Sequence, residues 1–147
     1  MKGLIERDGE DTNKIAIEMF RAMGIDISPH EICRTHRNGP RLRGRHRPIY
    51  VKFVRHDVRD EVYYQRDTLR SIPDYRYVYI DENLTKYRSR LFHQARKEKL
   101  WQCWTYDGAI YACKKGNDPQ NYRVYKIVKN SDFTKVFGRY PYPSVSR

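Results

Sequence analysis

PIYVKFVRHDVRDEVYYQRDTLRSIPDYRYVYI, residues 48 to 80, decides how the first half of this chain folds. Ile49, Val51 and Phe53 alternate with Tyr50 and Lys52, the two-residue period of a strand with one face on a core and one toward water. The period then changes. Val58, Val62 and Leu69 point coreward behind Asp57, a residue able to cap a helix, while Arg59, Arg66 and Arg70 point outward. Pro73 stops this helix, and Tyr75 to Ile80 reads as another strand.

Upstream, Asp11 or Thr12 caps a helix whose Ile15, Met19, Phe20 and Met23 form one apolar stripe, closed by Gly24. Ser28-Pro29-His30-Glu31 has capping-box spacing, and residues 32 to 39 read as a strand running into an Asn38-Gly39 turn. The order helix, strand, strand, helix, strand lacks only a first strand to be ferredoxin-like, β-α-β-β-α-β. Leu4-Ile5 is the available remnant, although its surroundings read as a turn. The expected fold class is α+β, with this subdomain over residues 1–82 and a small C-terminal domain over 83–147.

The second domain reads as helix, hairpin, strand and helix. Thr85 caps a helix to about Lys99, with Leu91, Phe92 and Ala95 on one side and basic residues on the other. WQCWTYDGAIYACKKG, residues 101 to 116, turns at Asp107-Gly108. Residues 122 to 128 form a further strand, Asn130-Ser131-Asp132 caps a short helix, and residues 139 to 147 trail off as an extended tail.

The 147 residues carry a formal charge of +12, yet 39% are hydrophobic, too many for a disordered basic tail. No apolar run reaches the roughly 18 residues of a membrane span, and the first residues turn acidic at once without a signal-like apolar core. A soluble intracellular protein, cytoplasmic or nuclear, is expected, with no membrane partner. Cys33, Cys103 and Cys113 are odd in number and widely spaced, which reads as free thiols. Cys33 and His36 have ligand spacing but no second pair follows, so neither metal nor cofactor is expected.

The charge is blocked. Residues 1 to 33 carry −3, 34 to 59 carry +8, 60 to 85 carry −3, 86 to 99 carry +5, and 114 to 147 carry +6. Such focusing points to an anionic partner. Phosphate-loop, nucleophile-elbow, zinc-protease and dinucleotide motifs are absent, and no histidine is matched to a carboxylate pair, so catalysis is the weak reading. Nucleic acid is the strong one. Arginine's fork pairs two phosphate oxygens, and unpaired bases stack on aromatic rings. Arg37, Arg41, Arg43, Arg45, Arg47 and Lys52 crowd around one strand. Lys86, Arg88, Arg90, Arg96 and Lys97 follow on one helix, and Lys114, Lys115 and Arg123 lie near Trp104, Tyr106 and other aromatics. Trp101 and Trp104, three apart, cannot share a strand face, so one is expected in the core and one on a stacking surface. Tyr63, Tyr77 and Tyr79 read as core rings. The glycine-aromatic sheet signature of an RNA-recognition domain is absent, so binding is expected through loops, the helix at 86 to 99 and the groove between subdomains.

HRNGPRLRGRHRPIYVKF, VRDEVYYQRDTLR, VYIDENLTKYRSRLFHQARKEK and WTYDGAIYACKKG, in this order, resemble the first open-reading-frame protein of LINE-type retrotransposons. They equally resemble the C-terminal region of the baculovirus few-polyhedra protein. The resemblance covers roughly residues 9 to 137 and implies an RRM-like domain followed by a small C-terminal domain, with nucleic acid in the basic cleft between them. It implies a nucleic-acid chaperone that binds single-stranded RNA or DNA, RNA preferred, with little sequence preference. It matches Arg47 to the family's arginine before the third strand, Arg88 and Arg90 to its helix pair, and Trp104, Tyr106 or Tyr111 to its C-terminal aromatic. The family trimerises through a coiled coil; this chain has no heptads, so a homo-oligomer would form through a segment absent from it. The few-polyhedra likeness leaves a structural or assembly protein as the alternative.

Overall fold

Asp11 accepts hydrogen bonds from the backbone N–H groups of Asn13 (2.9 Å) and Lys14 (3.1 Å) and thereby starts α1, Thr12–Ala22, in a computed structural model that describes residues 1–116 and 122–141. Ser28 and Glu31 close the expected reciprocal cap around a single 3₁₀ turn, Pro29–Glu31. The chain is α+β and divides into two compact units, Met1–Asp81 and Glu82–Arg147.

In the first unit, β1 (Ile32–Arg37) pairs antiparallel with β2 (Ile49–Phe53), with a bulge near Cys33. Ile49 is fully buried, and Val51 and Phe53 pack at the edge of a core built on Met19, Phe20, Ile27 and Leu69. α2 (His56–Tyr64) tightens into a 3₁₀ stretch, Gln65–Ser71, which brings Leu69 into that core. Its N-cap is Arg55, not Asp57; the Asp57 carboxylate is taken by the Arg55 guanidinium instead.

The strand expected at Tyr75 to Ile80 does not form. After Pro73 the backbone bonds within itself, Tyr75 N–H to Ile72 O (3.0 Å) and Val78 N–H to Tyr75 O (2.8 Å), winding residues 73–77 into turns. Only Tyr79 pairs, exchanging bonds with Lys2 at 2.8 and 3.0 Å. Val78 is buried, whereas Tyr77 and Tyr79, expected in the core, are 74% and 56% exposed.

The chain start takes a similar place on the other side. The Met1 amino group donates to Ile49 O (2.8 Å), and Met1 O accepts from Ile49 N–H (2.9 Å). Across this layer the order is therefore β1, β2, Met1–Lys2, Tyr79. Leu4–Ile5 is not part of it, because Gly3 turns the chain away at φ +93°, where a Cβ would lie 2.4 Å from Tyr77 O. Only glycine fits there.

In the second unit, α3 (Lys86–Ala95) starts on Thr85, whose hydroxyl accepts from Arg88 N–H, and buries Leu91 and Ala95. It ends earlier than the sequence predicts, because Lys97 and Glu98 N–H bond three residues back and close the last turn. β3 (Trp101–Tyr106) and β4 (Ala109–Lys114) form the expected hairpin, with Asp107 (φ 48°) and Gly108 (φ 69°) both left-handed, as a two-residue turn requires. β5 (Tyr125–Ile127) adds to β4, shorter than the predicted strand. α4 (Asn130–Phe137) is capped by Asp132, whose carboxylate accepts from the Val128 and Lys129 N–H groups. Phe133, Ile110, Ala112, Ile127 and Leu91 form the core between this sheet and the two helices. The far end of the expected tail, residues 142–147, lies outside the described residues.

Candidate nucleic-acid interface

The arginine loop before β2 is held by the acidic segment that precedes α1. Glu6, 6% exposed, accepts from Arg47 Nε (3.0 Å), Nη2 (2.5 Å) and backbone N–H (3.1 Å). These bonds hold the Glu6 carboxyl at about 2, far below its ordinary 4.5. Arg41 reaches Asp8 at 2.6 Å and approaches Glu6 at 3.8 Å. The loop is thus a built turn, closed by Arg45 N–H to Leu42 O (3.2 Å) and pinned by carboxylates, rather than the open segment its glycine and like charges suggest.

Arg37 leaves the candidate set. Its side chain is 5% exposed and donates to both Glu10 oxygens (2.6 and 3.0 Å) and to the carbonyls of Leu4, Ile5 and Arg47. Pairing with Arg37 pulls the Glu10 carboxyl below its ordinary range. Five bonds leave this guanidinium no face for phosphate. Arg47 is likewise committed to Glu6 and 29% exposed, so its role in the loop is anchoring. Arg43 and Arg45 are exposed, with no side-chain partner among the described residues.

The open face of the β1–β2 pair carries side chains that the sequence reading passed over. Arg34 stands directly opposite Lys52, and His36 opposite Tyr50, with the last two rings in edge contact at 5.8 Å. Lys2 and Tyr79 pair next along the layer. Only Lys52 was a sequence candidate. The alternation of residues 34 and 36 was visible, but their register against 50 and 52 was not.

In the second unit, Lys86, Arg90 and His93 lie on one face of α3, opposite Leu91 and Ala95, and Lys97 extends the row beyond the helix end. Ser89, Arg90, His93 and Gln94 line a shallow open depression there. Arg96 is exposed, its guanidinium 5.8 Å from the Phe92 ring. Arg88 is turned elsewhere: it donates to Gly108 O at 2.6 Å and braces the hairpin turn, which Glu82 also holds through Gly108 N–H (3.3 Å).

Trp101 faces the core against Phe137, whereas Trp104 lies on the opposite sheet face, stacked with Tyr111 at 6.0 Å and 18°. Tyr106, half-buried, alternates onto the Trp104 face. Lys114 is directed to the other side, its ammonium 5.7 Å from the Trp101 ring. Lys115 and Arg123 are exposed. Lys126, beside Tyr125 in sequence, instead brings its ammonium to 6.0 Å from the Tyr111 ring across the sheet.

Among the described residues no group of three or more His, Cys, Asp or Glu side chains could hold a metal ion, and no helix is long and apolar enough to cross a membrane. The three cysteines are free. No family model, curated protein or solved structure matches the chain.

Proposed function

We propose that this protein is a sequence-tolerant binding module for single-stranded nucleic acid, RNA preferred, of the retrotransposon-type chaperone class that its motifs resemble. One observation carries the reading: Arg34 and Lys52 stand directly opposite on an exposed sheet face, beside His36 and Tyr50. Like charges in directly opposed positions destabilise a strand pair. No carboxylate among the described residues relieves these two. An anionic partner relieves that repulsion, and rings beside the cations suit a strand with unpaired bases. Lys86 and Arg90 on α3 meet the same description, since like charges four apart on a helix also repel.

An RRM-like first unit agrees with the order β1, β2, Met1–Lys2, Tyr79, which is the order of strands 2, 3, 1 and 4 in that fold, with two of the four reduced to single pairings. The test is a salt titration of binding to a homopolymeric oligoribonucleotide. With about five to eight phosphates contacted, log K should fall against log salt with a slope of about −0.7 per phosphate. Affinity independent of salt would refute the reading and favour assembly through protein partners.

A further inference from the structure

Trp104, Tyr111 and Lys126 form one row across all three strands of the second sheet. Trp104 is directly opposite Tyr111, and Tyr111 directly opposite Lys126, so all three rise from one face. That face is turned away from the core beneath α3 and α4, as the inward packing of Ile110, Ala112 and Ile127 shows. The two ring planes lie 18° apart with centroids 6.0 Å apart, and the Lys126 ammonium is 6.0 Å from the Tyr111 centroid. On the middle strand, Tyr111 therefore has a ring on one side and a cation on the other. The row is closed at the β5 end by Lys126. At the other end stands Trp104, half-buried, on strand β3 at the sheet edge, with Tyr111 as its ring partner.

A cross-strand aromatic pair stabilises a hairpin by itself. That role does not account for the rest of the face. Gln102, exposed and two residues from Trp104, shares its side of β3, and none of the three strands contains a carboxylate. Among the described residues, the acids flanking the strands lie off this row: Asp107 is in the hairpin turn beyond Tyr106, Glu98 is occupied by Arg139, Asp132 by the α4 cap and Glu82 by Gly108 N–H. A stacked ring pair with a cation at one end, an amide at its side and no carboxylate on its strands fits a nucleobase attached to a phosphate backbone.

We propose that this row is a base-stacking platform, on which a nucleobase of the single strand stacks against the outer face of the Trp104 indole and so extends the Lys126–Tyr111–Trp104 row by one ring. The assignment rests on the single-strand reading above and gives it a location in the second unit. Every base has a π-face, and the Gln102 amide can donate to or accept from any base edge, so the platform is sequence-tolerant. Lys126 supplies charge to the backbone as it crosses the sheet.

Trp101 and Trp104 are the only tryptophans, which makes the test direct. Trp101→Phe leaves Trp104 as sole emitter, and Trp104→Phe leaves the core residue Trp101. Each is titrated with oligouridylate and with an abasic oligonucleotide of equal length, while binding is followed independently by anisotropy of an end-labelled strand. The expected result is strong quenching of Trp101→Phe by oligouridylate, little by the abasic strand, and little in Trp104→Phe. Trp104→Ala should lose about 10-fold in affinity for oligouridylate, and Trp104→Phe should recover most of that loss. Salt-dependent binding without quenching of Trp104 would overturn the platform and leave the single-strand reading intact. Equal quenching by abasic strands would also overturn it, since phosphate alone would then suffice. Failure of any oligonucleotide to bind would remove both.

Discussion

Arg37→Ala separates anchoring from binding in the arginine-rich block. The substitution removes five hydrogen bonds and leaves Glu10, 12% exposed, without its partner, together with the carbonyls of Leu4, Ile5 and Arg47. Deleting one member of a buried ion pair costs about 3–5 kcal/mol. Water can reach the partly exposed Ile5 end of this network, so the lower part of the range, about 3 kcal/mol, is expected here. In a domain of this size each kcal/mol moves the melting midpoint by about 4–8 °C, so a loss of at least about 12 °C is expected for the first unit. Both tryptophans lie in the second unit, so the assay has an internal reference. Hydrogen exchange of residues 1–81 should report the loss, while the tryptophan-fluorescence transition stays in place. The double variant Arg37→Met/Glu10→Met should regain stability, because it removes both charges together. If Arg37→Ala instead kept full protection in the first unit and weakened RNA binding, the anchoring assignment would be wrong.

Arg88→Ala should lower the stability of the β3–β4 hairpin through the lost bond to Gly108 O, by about 1–2 kcal/mol. Arg90→Ala should leave the melting midpoint unchanged and reduce the magnitude of the salt slope by about 0.7, read from oligonucleotide titrations. The Glu6 carboxyl titrates near 2 when folded against 4.5 ordinarily; its contribution to stability is present above about 4.5 and disappears as pH falls toward 2. Glu6→Gln should lack that acid-limb dependence in melting curves taken across this window. Gly3→Ala should cost more than Gly44→Ala: both have positive φ, but only the first Cβ would meet backbone, at 2.4 Å from Tyr77 O. Cys103, pushed up to about 11 by burial, should alkylate more slowly at pH 8 than exposed Cys33, as mass spectrometry of a timed iodoacetamide reaction would show.

Local signals carried much of the architecture. Asp11 and Thr85 start helices, Asp107-Gly108 turns the hairpin, and the three-residue spacing of the tryptophans assigns them to opposite faces. What the sequence concealed was pairing between distant segments. Alternation in Tyr75 to Ile80 states a preference for strand, but a strand needs a neighbour, and a single pairing with Lys2 was the neighbour on offer. The ion pairs around the arginine loop are hidden for the same reason. Along the chain, residues 1–33 and 34–59 look like separate fields; in space Glu6, Asp8 and Glu10 neutralise Arg47, Arg41 and Arg37. The cations that remain available are therefore found by subtraction, and that requires the contacts.

The pairing of Lys2 with Tyr79 also sets an order of events for a chain made from its N-terminus. Met1 and Lys2 are translated before the rest of the first unit, yet their partners Ile49 and Tyr79 come from its middle and its end. Closing so long a loop is slow compared with zipping a hairpin such as β3–β4. During synthesis the edge of β2 that later receives Met1 stays unsatisfied until that segment returns to it, and the layer is sealed only once Tyr79 has emerged. For that interval Lys52 and Arg34 stand on a two-stranded ribbon too small to be stable alone. The first unit should therefore complete the face that carries Arg34 and Lys52 late and all at once, when its last residues are translated.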